Sequence, residues 1–185
     1  MMRRVLCAAL AIIGVAGAPA LARDRLGVWN VWGAFRDAGV PRCYAIAMAI
    51  DLPGKSHETQ AYVTVANWPR RNIHGEVHVR LSRTPAPGKP VIMTVNGQKF
   101  PLIAGGIDAW APDRRGDAAI IAALRSTGSS TGSSTGSSIG SSIGGRTADM
   151  AVTAQGRDGR PMRDAYHLAG AASAMDAASL GCAAG

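Results

Sequence analysis

The chain between residues 29 and 110 alternates between apolar and polar side chains in short runs, and this pattern restricts the fold more than any other feature. In the clearest run, residues 73–82, the apolar positions are Ile73, Val77, Val79 and Leu81. A period of two places apolar and polar side chains on opposite faces of a β-strand. Proline and glycine residues separate the runs, which favours short strands over helices. The pattern therefore predicts a sheet of short strands.

Seven further strands are predicted from the same pattern and from turn residues. Asn96-Gly97 separates two apolar runs, and this dipeptide favours a two-residue hairpin because both of its residues tolerate positive φ. A turn is also predicted at 156–160, where two glycines lie among polar residues. The predicted strands are 29–35, 43–50, 62–68, 91–95, 98–103, 150–155 and 162–168.

Two short helices complete the predicted domain. Residues 117–125 carry an apolar stripe that includes Ile120 and Leu124. Residues 171–180 are mostly small, and Gly181 is a candidate C-terminal cap for this second helix. Many short strands with two helices predict a β-rich α+β fold, either an antiparallel β-sandwich or a partly open barrel.

The N-terminus has the three parts of an export signal. Two arginines begin it, an apolar run follows at 5–17, and Ala20-Leu21-Ala22 has the small-x-small pattern of a cleavage site. We therefore expect 1–22 to be a signal peptide and 23–185 to form a single domain. Removal of the two arginines lowers the formal net charge from +8 to +6. The protein is expected in the periplasm or outside the cell, without a transmembrane span.

Export changes the interpretation of the cysteines. Cys7 lies in the signal peptide, so the mature chain keeps Cys43 and Cys182, an even number in an oxidising compartment. We expect these two residues to form a disulfide that ties the C-terminal end to the β-rich part. The alternatives, a reactive thiol or a metal thiolate, lack a C-x-x-C neighbour.

A four-residue repeat, TGSS changing to IGSS, lies within residues 127–145. A segment of this composition buries too little apolar surface to offset the entropy that it loses on ordering. The sequence therefore predicts a flexible low-complexity loop between the first helix and the strand that follows it.

Three polar residues of the clearest strand form the best candidate for a metal site. His74, Glu76 and His78 alternate along the chain, so a regular strand places them on one face, about 7 Å apart. Two imidazoles and one carboxylate are a ligand set that suits Zn²⁺. The alternative is the solvent-exposed face of an amphipathic strand. We expect no catalytic residue and no metal or other cofactor.

Seventeen of the twenty cationic residues are arginines. Pairs at 70–71 and 114–115, and three arginines around the turn at 156–160, are candidate contacts for an anionic surface polymer or lipid. The alternative is an arginine-rich surface spread over the whole domain. Nucleic acid is not expected as a partner, because the protein is exported and its aromatic residues do not alternate with the arginines.

Several short motifs, in this order, resemble one known family. Trp32-Gly33-Ala34-Phe35 is followed by Arg42-Cys43-Tyr44-Ala45-Ile46-Ala47, and Ala109-Trp110-Ala111-Pro112 precedes the first helix. With the ending from Asp164 to Cys182, these motifs resemble the invasion-associated locus B (IalB) family over residues 27–182. The resemblance implies a bacterial periplasmic or secreted β-rich domain, without established catalytic residues. The long repeat and the lack of an additional cysteine pair depart from that family.

Taken together, these features predict an exported, non-enzymatic envelope protein with a role in interaction, stress or host association. Its partner is expected to be an unknown protein or another envelope component. Two alternatives stay open, which are binding of an anionic surface polymer or lipid through an arginine patch, and metal-dependent hydrolysis at the histidine face.

Overall fold

Ten strands, two α-helices and one 3-10 turn make up the residues that the structure describes, which are 23–50, 58–126 and 149–183 of a computed structural model. The predicted signal peptide 1–22 and the low-complexity loop 127–145 lie outside the described residues. The helices are α1 (Arg114–Arg125) and α2 (Ala171–Ala183), and the 3-10 turn is Pro69–Arg71. The strands are β1 (Asp24–Trp29), β2 (Trp32–Asp37), β3 (Arg42–Met48), β4 (Tyr62–Trp68), β5 (Ile73–Arg80), β6 (Val91–Val95), β7 (Gln98–Gly105), β8 (Asp108–Trp110), β9 (Met150–Gln155) and β10 (Pro161–Tyr166).

The strands join one antiparallel sheet in the order β1-β2-β3-β4-β5-β8-β7-β6-β9-β10. The sheet is not closed into a barrel, but it curls back on itself. The N–H of Ile50, just after β3, donates to the carbonyl of Ala165 in β10 at 2.8 Å, although these strands are far apart in the sheet order. The predicted β-rich α+β fold with two helices is confirmed, with its strands in one open, curled sheet.

The curled sheet encloses a single core. Val77 and Val79 of β5 and Leu81 directly after it are fully buried, as their alternation predicted. They share the core with residues from β6, β7, β9 and β10 on the other half of the sheet. Helix α1 packs against β5, β6 and β7, and α2 packs against β1 to β4. Both helices therefore lie on the inner side of the sheet, and neither is long and apolar enough to cross a membrane.

Helix α2 is held to the sheet by a covalent bond. The predicted disulfide between Cys43 and Cys182 is present, with the two Cα atoms 5.6 Å apart. Cys43 lies in β3 and Cys182 in the last turn of α2, so the bond joins the helix to one of the strands that it covers. The buried residues of the helix are mostly small, which lets it approach the sheet closely. They are Ala171, Ala174, Met175 and Ala178.

The predicted helix cap at Gly181 is wrong. Helix α2 continues through this glycine to Ala183. A Cβ atom at Gly181 would overlap the side chain of Leu26. The glycine therefore serves the packing of β1 against the helix and does not end the helix.

The predicted single strand at 29–35 is also wrong. Trp29 ends β1 and Trp32 begins β2, and the two are register partners across a two-residue turn. Asn30 takes a φ of 53°, a left-handed conformation that asparagine tolerates better than most residues. The turn has no glycine, which is why the sequence pattern missed this hairpin. The predicted hairpin at Asn96-Gly97 is confirmed, with φ of 48° and 83°.

Candidate binding face

The side of the sheet opposite the helices is called the outer face. Among the described residues, seven large hydrophobic side chains are exposed, and four of them lie on this face. These four are Val28, Met48, Ile103 and Trp110. Isolated exposed apolar residues are ordinary, but several on one face are typical of an interaction surface.

A single row of side chains crosses the outer face from one exposed residue to another. Each member is the register partner of the next, so the side chains of the row share one face. The row crosses seven strands, which is a length of roughly 29 Å measured along the curled sheet at the usual strand spacing. Its members in order are Val28, Gly33, Ile46, Thr64, His78, Trp110 and Ile103. A second row beside it contains Met48, Tyr62, Arg80, Asp108 and Gly105.

Three rings meet where the two rows cross β4, β5 and β8. The ring of His78 lies 5.2 Å from that of Trp110 and 5.8 Å from that of Tyr62, measured between centroids. The indole of Trp110 also lies over Gly105, because a Cβ atom there would be 3.2 Å from the indole ring. The glycine thus leaves room for the indole to lie against the sheet. These contacts form a ring cluster of Tyr62, His78 and Trp110, with Trp110 still 37% exposed.

Asp108 holds the imidazole of this cluster in place. Its carboxylate lies 2.9 Å from Nε2 of His78 and accepts a hydrogen bond from Arg80 at 3.1 Å. The imidazole is therefore held on one edge by a carboxylate, and it also contacts the tilted indole of Trp110 and the ring of Tyr62 in an edge-on arrangement. A rigid surface of this kind loses little side-chain entropy when it binds a partner.

The hydroxyl of Thr64 lies 3.5 Å from Nδ1 of His78. Since Nε2 of the same ring contacts Asp108, a hydroxyl, an imidazole and a carboxylate lie next to one another in space. The same three groups form hydrolytic triads. At this distance the hydroxyl makes at most a weak hydrogen bond, however, and Thr64 is buried. The contact adds a second polar neighbour to the imidazole, on the side opposite Asp108.

The three candidate metal ligands each contact a different partner. His74 lies 3.3 Å from the side-chain oxygen of Asn72, and Glu76 accepts a hydrogen bond from the indole N–H of Trp68. His78 contacts Asp108 instead. The described part of the chain contains no group of three or more His, Cys, Asp or Glu residues that could hold a metal ion.

The reason for this divergence lies in the β4–β5 pair. Its register shifts between Ala66 and Trp68, opposite the start of β5. Gly75 takes a φ of 77°, and its N–H donates to the side chain of Asn67. The regular alternation that the sequence analysis assumed therefore begins only after Gly75, and it includes Glu76 and His78 but not His74.

A second cluster on the outer face combines arginine and aromatic side chains. The guanidinium of Arg42 lies 4.6 Å from the ring centre of Tyr44 and 5.3 Å from that of Trp68. The guanidinium of Arg71 lies 5.0 Å from the Trp68 ring. These distances are within the range of cation–π attraction. We call Tyr44, Arg42, Trp68 and Arg71 the arginine–aromatic cluster.

Two titratable groups with shifted pKa values lie on the inner side of the sheet. Burial raises the pKa of Asp117 in α1, while a hydrogen bond from the N–H of Val77 opposes this shift. Burial also raises the pKa of Tyr166 well above its ordinary value, and the charge of Asp164 adds to the effect. The Asp117 contact fixes α1 against β5, directly behind the ring cluster.

No family model, curated protein sequence or solved structure matches the chain. The resemblance to the IalB family therefore stays a prediction.

The structure assigns the outer face several residues that the sequence analysis did not single out, namely Arg42, Tyr62, Arg80 and Asp108. Tyr62, Arg80 and Asp108 come together only through the pairing of β4, β5 and β8, whereas Arg42 reaches Trp68 through the pairing of β3 with β4. The alternation in β5 identified the outward-facing residues of this one strand. The residues that lie beside them on β4 and β8 depend on the register between the strands. The two arginine pairs of the sequence analysis lie on different elements. Arg70 and Arg71 belong to the 3-10 turn, and Arg114 and Arg115 begin α1.

Proposed function

We propose that this protein is an exported envelope protein of the IalB type that acts by binding a partner through its outer face, and not by catalysis. The observation that carries the proposal is the row of side chains across seven strands, which ends in exposed Val28 and Ile103 and includes exposed Trp110. Tryptophan is among the residues that contribute most to binding energy at protein surfaces.

Two further observations support the proposal. The disulfide between Cys43 and Cys182 favours an oxidising compartment, in keeping with the export signal in the sequence. The polar groups at the ring cluster are engaged with one another, since Asp108, beside the cluster, contacts both His78 of the cluster and the neighbouring Arg80. Groups paired in this way position side chains for binding.

Site-specific photocrosslinking tests the binding surface. A photoreactive amino acid replaces Ile103 on the outer face in one variant and Leu180 on α2 in the control variant. The two positions are 60% and 70% exposed, so they differ in location more than in access. We expect the Ile103 variant to crosslink a defined envelope component in the producing bacterium, and Trp110→Ala in the same variant to abolish that product. An identical product from the Leu180 variant would contradict the proposal.

The export part is tested separately by sequencing the N-terminus of the purified periplasmic or secreted protein. We expect it to begin at Arg23. A protein that keeps Met1 and stays in the cytoplasm would contradict this part. A hydrolase activity that is lost in His78→Gln but kept in His74→Gln would contradict the non-enzymatic part.

A further inference from the structure

We propose that the ligand of the outer face is an acidic polysaccharide, whose anionic groups pair with the arginine–aromatic cluster and whose sugar rings lie on the ring cluster. This inference rests on the proposed binding function of the same face and names its ligand class.

The first argument is the state of the two guanidinium groups. Arg71 has no ion-pair partner among the described residues, and the nearest carboxylate to Arg42, that of Asp37, is 3.9 Å away. The Nε atom of Arg42 is buried and has no hydrogen-bond partner in the described part of the chain. A guanidinium has five N–H donors and favours planar, two-point contacts with oxyanions. Arg71 therefore has unused capacity to bind an anion, and Arg42, which is 30% exposed, contributes its terminal nitrogens.

The second argument is that the cluster is already ordered. Arg42 lies between the rings of Tyr44 and Trp68, and the indole N–H of Trp68 is held by Glu76 at 3.3 Å. Contact with the ring faces does not use the N–H donors of a guanidinium. A long side chain that is fixed beforehand loses less entropy when it binds an anion.

The third argument is the position of the ring cluster on the same face. From Trp68 to Trp110 the sheet extends four residues along the strand and two strands sideways, a distance of roughly 17 Å. Several linked sugar units span this distance. Aromatic rings offer flat apolar surfaces to the C–H groups of sugar rings, while polar edges bind their hydroxyl groups.

Two carboxylates beside and between the two clusters favour a polysaccharide over an anionic membrane. Glu76 lies on the outer face between Trp68 and Trp110, and Asp108 lies just beyond Trp110, beside the ring cluster. A lipid surface would bring these two carboxylates against negatively charged headgroups and remove their water, which costs free energy. Hydroxyl groups of a sugar chain instead donate hydrogen bonds to them.

Isothermal titration calorimetry with the mature protein tests the inference, with polygalacturonate as the acidic probe. Dextran is the neutral probe, and phosphatidylglycerol vesicles are the lipid probe. We expect polygalacturonate to bind, and Arg71→Gln to weaken this binding at least tenfold. The matched control, Arg157→Gln, removes the same charge from the β9–β10 turn and should change the affinity less than twofold. Trp110→Ala should also weaken binding, whereas dextran and vesicles should not bind.

Arg71 is exposed, so its substitution should leave the thermal midpoint unchanged and the loss attributable to binding. Equal weakening in Arg71→Gln and Arg157→Gln would overturn the inference, because it would mean nonspecific attraction between net charges. Binding to vesicles without binding to polygalacturonate would also overturn it, in favour of a membrane contact. If polygalacturonate fails while Ile103 still crosslinks a partner, this inference fails and the proposed function stands. If both fail, the outer face is not a binding surface.

Discussion

Loss of the bond between Cys43 and Cys182 is expected to lower the free energy of unfolding by about 5 kcal/mol at most. The two cysteines are 139 residues apart in sequence. The loop-closure entropy that a crosslink removes from the unfolded chain rises with the logarithm of loop length, and it gives about 5 kcal/mol for this separation at 25 °C. For a domain of this size each kcal/mol shifts the Tm by about 2–4 °C, so we expect a fall of about 10–20 °C.

The effect should be largest in α2. Three of its four buried residues, Ala171, Ala174 and Ala178, bury only a methyl group. A buried methylene-sized group contributes roughly 0.8 kcal/mol, so side-chain burial alone holds this helix weakly. Without the disulfide, α2 should separate from β3 more often than the strands of the sheet separate from one another.

Two independent perturbations measure this effect. Thermal and urea unfolding of the oxidised and the reduced wild type isolate the bond itself, since reduction leaves every side chain in place. The double variant Cys43→Ala/Cys182→Ala removes the bond permanently. Hydrogen exchange read by mass spectrometry should show faster exchange in α2 than in β3 to β5 after reduction. A non-reduced digest in which the two cysteine peptides stay joined is the control for the oxidised state.

A loss below about 1 kcal/mol on reduction, within the range of an ordinary surface substitution, would refute the reasoning. It would mean that the packing of α2 alone holds the helix on the sheet, and that restriction of the unfolded chain contributes little. Exchange that accelerates equally throughout the protein would contradict the second part, because the helix would then unfold only with the whole domain.

Three further predictions concern the inner side of the sheet. Gly75→Ala should destabilise the protein more than Gly88→Ala in urea unfolding: both glycines have positive φ, which costs an alanine about 1–2 kcal/mol, but only the Cβ at Gly75 would overlap Ile121. Equal losses would contradict this contact. Because burial raises the pKa of Asp117, the folded protein binds this proton more tightly than the unfolded chain, and the wild type should lose stability relative to Asp117→Asn as the pH rises above about 3.9. A stability difference that is constant with pH would contradict it. Tyr166→Phe removes a buried hydroxyl without a partner among the described residues, so the stability should be unchanged or higher by up to about 1–3 kcal/mol. Calorimetry measures this as an unchanged or raised Tm, and a clear fall in Tm would mean that the hydroxyl is hydrogen-bonded.

The local pattern of apolar and turn residues was sufficient to predict the bounds of some strands. The strands predicted at 62–68 and 150–155 have the same bounds as β4 and β9. Helix α1 begins earlier than predicted, at Arg114, because the side chain of Asp113 accepts a hydrogen bond from the N–H of Gly116 at 2.8 Å. The apolar stripe that identified this helix lies in its later turns, so it could not indicate where the helix begins.

The disulfide followed from the count of cysteines once Cys7 was assigned to the predicted signal peptide. The structure does not bring the three candidate metal ligands together. The positions of His74, Glu76 and His78 in sequence assume a regular strand, whereas the register shift opposite the start of β5 interrupts it. Gly75 within the strand pattern is a local sign of such an irregularity, but which residues then pair depends on both strands.

The sequence by itself determined the β-rich α+β class and most of its strands, because alternation and turn residues act within a few neighbouring positions. It also predicted the pairing of Cys43 with Cys182. Only the tertiary structure decided what the outer face contains. His78 meets Asp108 and Trp110 through the pairing of β5 with β8, and Arg42 meets Trp68 through the pairing of β3 with β4. These contacts depend on register between strands, and register is set by how the whole sheet buries its inner side.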